Sequence, residues 1–447
     1  MRFAAAAAIA LTCILLAWLA APAGEGTTTR PAFQPNPKLA DLADNTVMDL
    51  GAFTWERPAG EGAIGSVTDY SGMTNDPHNH RILLFGGGHA TTFTDAIYAF
   101  TFPDLTWRCL YTPTPAKLYK KDNMDRGFWK AGETGDYPRP VGRHTYDLLA
   151  VPDDRQELLL LMNGGGPSSV APGIGYWGGA AGRYDFKTGR WTMLPKTPFG
   201  GYGGVAEYDP LSKQVVGTLG QVVDAYDPAD GKVTPIARNI SDRLKVSGYS
   251  GTMVYFPPDK RMYVIPADKK VWILDLDRTD LARSKIVVPT VKGACPAGEC
   301  GFAYDDANHV IGGGVKSNRF YVFDPARMEW TSQEMQGGKP GTMTFHCIAY
   351  DPVNNVYVFL AGRRTWAYRY KAVQHGRANA SRPAAGSGTS SNSSGTVLKS
   401  GWTRGTSPGS GPWPTAGIRA PRESLTIPTA SSSGRGRAAL RQAAKSL

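Results

Sequence analysis

Seven histidines are spread over 447 residues, and three stand in company that suits proton transfer. His144 sits in Gly142-Arg143-His144-Thr145-Tyr146, His89 follows the glycine trio that ends at Gly88, and His346 lies in Phe345-His346-Cys347. Imidazole is the side chain whose ordinary pKa lets it take and return a proton near neutrality. A guanidinium such as that of Arg143 can neutralise a carboxylate, and a phenol such as that of Tyr146 can work as an acid or base. His89, Arg143, His144 and Tyr146 are therefore the candidate catalytic residues. Trp129, Tyr137, Arg139, Tyr176, Trp177 and His346 are the candidate substrate contacts, because flat rings offer apolar area edged by hydrogen-bonding groups. Either these residues form a site, or they pack and cap the scaffold. Cys295 and Cys300, in Cys-Pro-Ala-Gly-Glu-Cys, make either a small surface disulfide or two thiols. Their spacing is not that of a zinc site, and no metal or other cofactor is called for.

Positions 89, 144 and 346 are far apart in sequence, and an internal repeat offers a way to bring them together. A unit recurs six times: a strand ending in Tyr-Asp or similar, a Pro/Asp/Asn turn, and a second apolar strand often followed by glycines. A third strand of Tyr-x-Phe-Asp type comes next, then a fourth often opened by Trp. The first turn reads Tyr208-Asp209-Pro210, Tyr304-Asp305-Asp306 and Tyr350-Asp351-Pro352 in three copies. Proline presets φ and Asp folds back on its own backbone, so these are reverse turns. Third strands are expected around Tyr98, Tyr184, Tyr226, Trp272, Tyr321 and Tyr368. Fourth strands follow at Trp107, Trp191, Val233, Ile286 and Trp330, which leaves the sixth unit short of one. Phe53-Thr54-Trp55-Glu56-Arg57 is expected to supply it, closing a ring and covering an open edge. Trp55 would then lie in the outer strand of the unit that holds Trp366.

The glycine pairs after the second strand and the Tyr…Trp spacing resemble the kelch repeat, which also builds the galactose oxidase-like propellers. The likeness runs from about residue 53 to residue 371, at about 51 residues per unit. It implies an all-β fold: a six-bladed kelch-type β-propeller closed by an N-terminal outer strand. In such a ring the sixth, first and second units are neighbours, so His346, His89 and His144 share a sector. The longest loops, about 112–140 and 164–179, share one face, and the Asp/Pro turns occupy the other. Function gathers on loops held by a rigid scaffold. The resemblance also implies that an Arg-His pair opening a blade is a common structural feature. Copper-radical chemistry of the galactose oxidase kind is not carried over. Phe345-His346 stands where that family has Tyr-His, and only a tail follows Lys371.

Residues 1–23 combine Met1-Arg2, an apolar run from Phe3 to Ala21 and a small-residue site at Ala21-Pro22-Ala23. That is the pattern of a secretory signal, with an uncleaved anchor as the alternative. Residues 24–52 are expected as an N-terminal extension, 53–371 as the propeller and 372–447 as a disordered, basic, Ser/Gly-rich tail. The chain carries +11, but residues from Ala372 onward hold ten Lys and Arg against one acid, Glu423. The body is nearly neutral, which argues against nucleic acid as a partner. A secreted or periplasmic protein is expected, not inserted in a membrane once the signal is removed. Its partner would be carbohydrate or an extracellular protein, with surface contact open to the basic tail. Fold-level likeness to propeller polysaccharide lyases and sialic acid isomerases offers reactions for the His/Arg/Tyr cluster. A non-catalytic protein-interaction scaffold is the remaining reading.

Overall fold

A computed structural model describes residues 32–54, 67–87, 94–132, 135–163, 179–241, 244, 246, 251–268, 270–295 and 301–372. Among them the strands form four four-stranded sheets, one eight-stranded sheet and one three-stranded sheet. The first four-stranded meander runs Gly72–Asp76, Arg81–Phe85, Tyr98–Thr101 and Thr106–Cys109. Further meanders open with Leu149–Ala150, Val205–Asp209, Thr252–Phe256, Phe302–Asp305 and Met343–Asp351. The eight-stranded sheet is the first and last of these antiparallel runs, joined by one parallel bridge between Gly72 and His346. Each opening strand lies beside the opening strand of the next meander, and the last returns to the first. The result is a propeller-like all-β architecture around one axis.

Turn chemistry fixes the hairpins as the sequence suggests. Asp76, Asp209, Asp305 and Asp351 are buried, and their carboxylates accept backbone N–H groups two or three residues ahead, at His78, Ser212, Asn308 and Asn354. The last turn residue is left-handed in five copies: His80, Lys213, Lys260, His309 and Asn355 have φ from 49° to 61°. His80 and His309 are thus turn residues.

Apolar side chains fill the space between neighbouring meanders. Val205, Val216 and Val223 of one pack with Met253, Met262, Val264 and Trp272 of the next. Each such side chain contributes roughly 1.5–3 kcal/mol when fully buried. Trp191, Trp272, Trp330 and Trp366 are all buried in these layers.

The last meander does take its outer strand from the N-terminal side, but from a different stretch than expected. Thr46–Ala52 pairs antiparallel with Arg364–Arg369, and Asp49 faces Trp366. Phe53 has already left the strand; its N–H bonds Arg363 O (2.9 Å), and its ring meets Trp107 edge-on at 4.9 Å. The segment expected as an extension therefore holds the closing strand, while Trp55 lies outside the described residues. Buried Arg369 fastens it, donating to the carbonyls of Leu39, Ala40 and Leu42 at the end of the short helix Pro37–Ala40. The loop 112–140 also departs from expectation, folding into a small sheet of Met124–Asp125, Phe128–Trp129 and Arg139–Pro140.

Candidate functional site

Two of the three singled-out histidines converge at the start of the opening strands, on the axis. His144 Nδ1 lies 3.1 Å from the hydroxyl of Tyr146. The Tyr146 ring meets that of His346 edge-on at 6.1 Å, and His346 Nε2 donates to Gly251 O (2.7 Å). A carbonyl only accepts, so this bond puts a proton on Nε2. Tyr70, Tyr202 and Phe345 complete the cluster. The Tyr70 ring lies 4.6 Å from His144 and 4.2 Å from Phe345, and Tyr202 lies 5.8 Å from both His144 and Tyr146. His144, Tyr146 and His346 are buried, whereas Tyr70, Tyr202 and Phe345 are half-buried and form the outer layer. His89 falls outside the described residues.

The left-handed Tyr and Phe residues among those described all fall here. Tyr70, Tyr146 and Phe345 have φ of 58°, 46° and 44°. A left-handed conformation costs a bulky L-residue about 1–2 kcal/mol, and such residues persist where surrounding structure holds them. The holding contacts are visible. Thr145 and Tyr146 donate their N–H groups to Tyr70 O (3.0 and 2.9 Å), and Thr145 Oγ1 bridges Gly72 N and Phe85 O. A Cβ on Gly72 would stand 2.0 Å from Tyr146 O, so this close approach requires glycine.

Several expected site residues have other tasks. Arg143, expected beside His144 as a catalytic group, is fully buried and donates to the carbonyls of Val141, Met162, Ala180 and Gly127. Its guanidinium joins the small sheet to the second meander through these carbonyls. Trp129, expected as a substrate contact, is also fully buried, stacked on Tyr119 at 5.0 Å. Arg139 lies over the rings of Tyr111 and Tyr137 and donates to Thr112 O, forming a stack apart from the axial cluster. Tyr176, Trp177 and Cys300 lie outside the described residues, and with Cys300 goes the expected pairing to Cys295.

Further along the axis the opening strands enclose a cavity of about 500 Å³, lined from all six meanders and reaching the proline turns at Pro77, Pro210, Pro257 and Pro352. Asp147, next to Tyr146 in sequence, crosses it to accept Met253 N (2.7 Å) from a non-adjacent meander. Burial pushes the Asp147 carboxyl well above its ordinary range, against the pull of the Met253 bond. Glu207 also lines the cavity, and burial pushes it up to about 7 although its own neighbour Tyr208 N donates to it (2.8 Å). Sequence reasoning missed both acids, and missed Tyr70, Tyr202 and Phe345. The available signals were a carboxylate inside an apolar opening strand, as in Val205-Ala206-Glu207, and an aromatic a few residues before such a strand.

No protein-family model matches the chain, and no curated protein does. Solved structures give distant likenesses. An auxiliary nutrient binding protein from Bacteroides ovatus is 12% identical, with 72% of this chain and 75% of that one covered and a TM-score of 0.45. One from Bacteroides thetaiotaomicron is 12% identical, covering 75% and 74% at a TM-score of 0.44. A protein of unknown function from Bacteroides thetaiotaomicron is 11% identical, covering 72% and 75%, also at 0.44. Among the described residues no helix is long and apolar enough to cross a membrane.

Proposed function

We propose that the chain is an exported six-bladed kelch-type propeller that binds carbohydrate at the axial cluster on its long-loop face. The six repeats, the circuit of opening strands and the N-terminal outer strand support the kelch propeller. The signal-like residues 1–23 support export. What carries the binding reading is that Tyr70, Tyr146 and Phe345, three strained aromatics from three different meanders, meet around His144 and His346. Half-buried rings beside imidazole and phenol groups present what a sugar ring needs: apolar faces with donors and acceptors at their edges. Binding is favoured over lyase chemistry on a uronic acid, because the guanidinium of Arg143 is committed to backbone carbonyls.

Affinity electrophoresis in gels containing soluble polysaccharides tests this, comparing the native chain with Tyr70→Ala and Tyr202→Ala. Retardation by at least one polysaccharide, weakened about tenfold in either variant, is expected, the usual worth of an aromatic contact residue. Retardation unchanged in both variants, or absent with neutral and uronic polysaccharides alike, would overturn the proposal.

A further inference from the structure

The opposite end of the axis carries chemistry that the carbohydrate reading does not use. The cavity there is of small-molecule size, since ligand pockets commonly fall between about 300 and 1,000 Å³. Its acids stand at different depths. Asp147 and Glu207 are half-buried inside it, and Asp153 and Asp306 are exposed at its mouth beside the turn residues. Among the described lining residues none is Lys, Arg or His. The two inner carboxylates are held by backbone N–H groups, Asp147 by those of Met253 and Ala206 and Glu207 by that of Tyr208. Tyr208 and Tyr255, at equivalent repeat positions, add aromatic wall that attracts a cation over its faces.

Carboxylates held in a confined space without a cationic side chain either keep protons or take a cation from outside. Both happen at a cost, and a ligand carrying its own positive charges removes it. A single metal ion would need several ligands around one point. Among the described residues no three acids gather around one point; Asp147 bridges Val205, two residues before Glu207 on its strand, and Glu207 feels the charge of Asp153 while Asp147 feels that of Glu207. Acids at different depths of one cavity match a linear molecule with charges spaced along its length.

We propose that the cavity on the short-turn face binds a small linear aliphatic polyamine, its ammonium groups taken by Asp147, Glu207 and the acids at the mouth. The ligand enters from the Asp/Pro-turn side, away from the aromatic cluster, so the two sites are filled independently.

Isothermal titration with spermidine at pH 7.5 tests this on the full chain, with Glu207→Gln and Asp153→Asn as variants and 1,8-octanediol as a neutral molecule of similar length. Glu207→Gln keeps the side-chain shape and replaces a group that is already partly protonated near neutrality, so the fold is retained. Asp153→Asn, at the exposed mouth, keeps the test available if the first variant misfolds. Saturable binding of one spermidine is expected, about tenfold or more weaker in Glu207→Gln and weaker by a smaller factor in Asp153→Asn, with no heat from the diol. No saturable spermidine binding, equal binding of spermidine and the diol, or unchanged affinity in the folded variants would each overturn the proposal.

Discussion

Glu207→Gln should remove a pH dependence of stability that the native chain owes to one enclosed carboxylate. In the folded protein burial pushes Glu207 from an ordinary 4.5 up to about 7, the bond from Tyr208 N opposes this, and Asp153 adds to the rise. The folded chain thus holds this proton to higher pH than the unfolded chain does. Its contribution is fully present below about pH 4.5 and is lost as pH climbs through about 7. At about 1.4 kcal/mol per pH unit the rise corresponds to at most about 3 kcal/mol. Because part of the carboxylate faces water in the cavity, about 1–2 kcal/mol is the expected size. Urea melts of both chains at pH 5, 6, 7 and 8 measure it. The native chain should lose about 1–2 kcal/mol more than the variant between pH 5 and pH 8, and groups that titrate in both cancel in the difference. Parallel curves would refute the reasoning, as would a native chain that gains more stability than the variant on going to pH 8.

Arg143→Met should destabilise by about 3 kcal/mol or more in denaturant melts, because it strands four buried carbonyls, and Arg143→Lys should recover only part of that since an ammonium cannot fork to four acceptors. Lys260→Gly should raise the melting free energy by about 0.5–1 kcal/mol, relieving a residue at φ 61° whose side chain is exposed. The Cys347 thiol is fully buried and pushed up by that burial, so a thiol reagent at pH 8 should label it only after denaturant is added. A chain starting at residue 53 should associate or aggregate in light scattering, because the strand Arg364–Arg369 would then present an unpaired edge.

Local chemistry was legible where a residue's role is satisfied by its near neighbours in sequence. Asp209 and Asp351 announce their turns because their carboxylates cap N–H groups two or three residues ahead. The tryptophans announce their layers because only large apolar surface fills the gap between meanders. Thr46–Ala52 was not legible: it has no aromatic, and Trp55 nearby mimicked the pattern of the other outer strands, although pairing across about 315 residues decided the register. Arg143 misled for a related reason. Beside His144 in sequence it reads as chemistry, yet the carbonyls that hold it come from Gly127, Met162 and Ala180 on other elements. Of the axial cluster, His144, Tyr146 and His346 stood out by type. Tyr70 and Tyr202 did not, because nothing local distinguishes a ring beside the axis from one between sheets.

The closing strand also sets an order of events for the chain. Thr46–Ala52 is synthesised early, but its partner Arg364–Arg369 comes last of the strands. Until then the first meander lacks its neighbour at the Gly72–His346 bridge, and buried Arg369 is not there to hold the helix Pro37–Ala40. Closing a loop this long carries an entropy cost that grows only slowly with length, so the penalty is mostly one of waiting. A ring fastened by its two ends therefore cannot be finished piecemeal. Every chain spends the time from residue 52 to residue 369 with an unpaired strand in hand, and that interval, more than the final stability, is when it is most exposed to pairing with another copy.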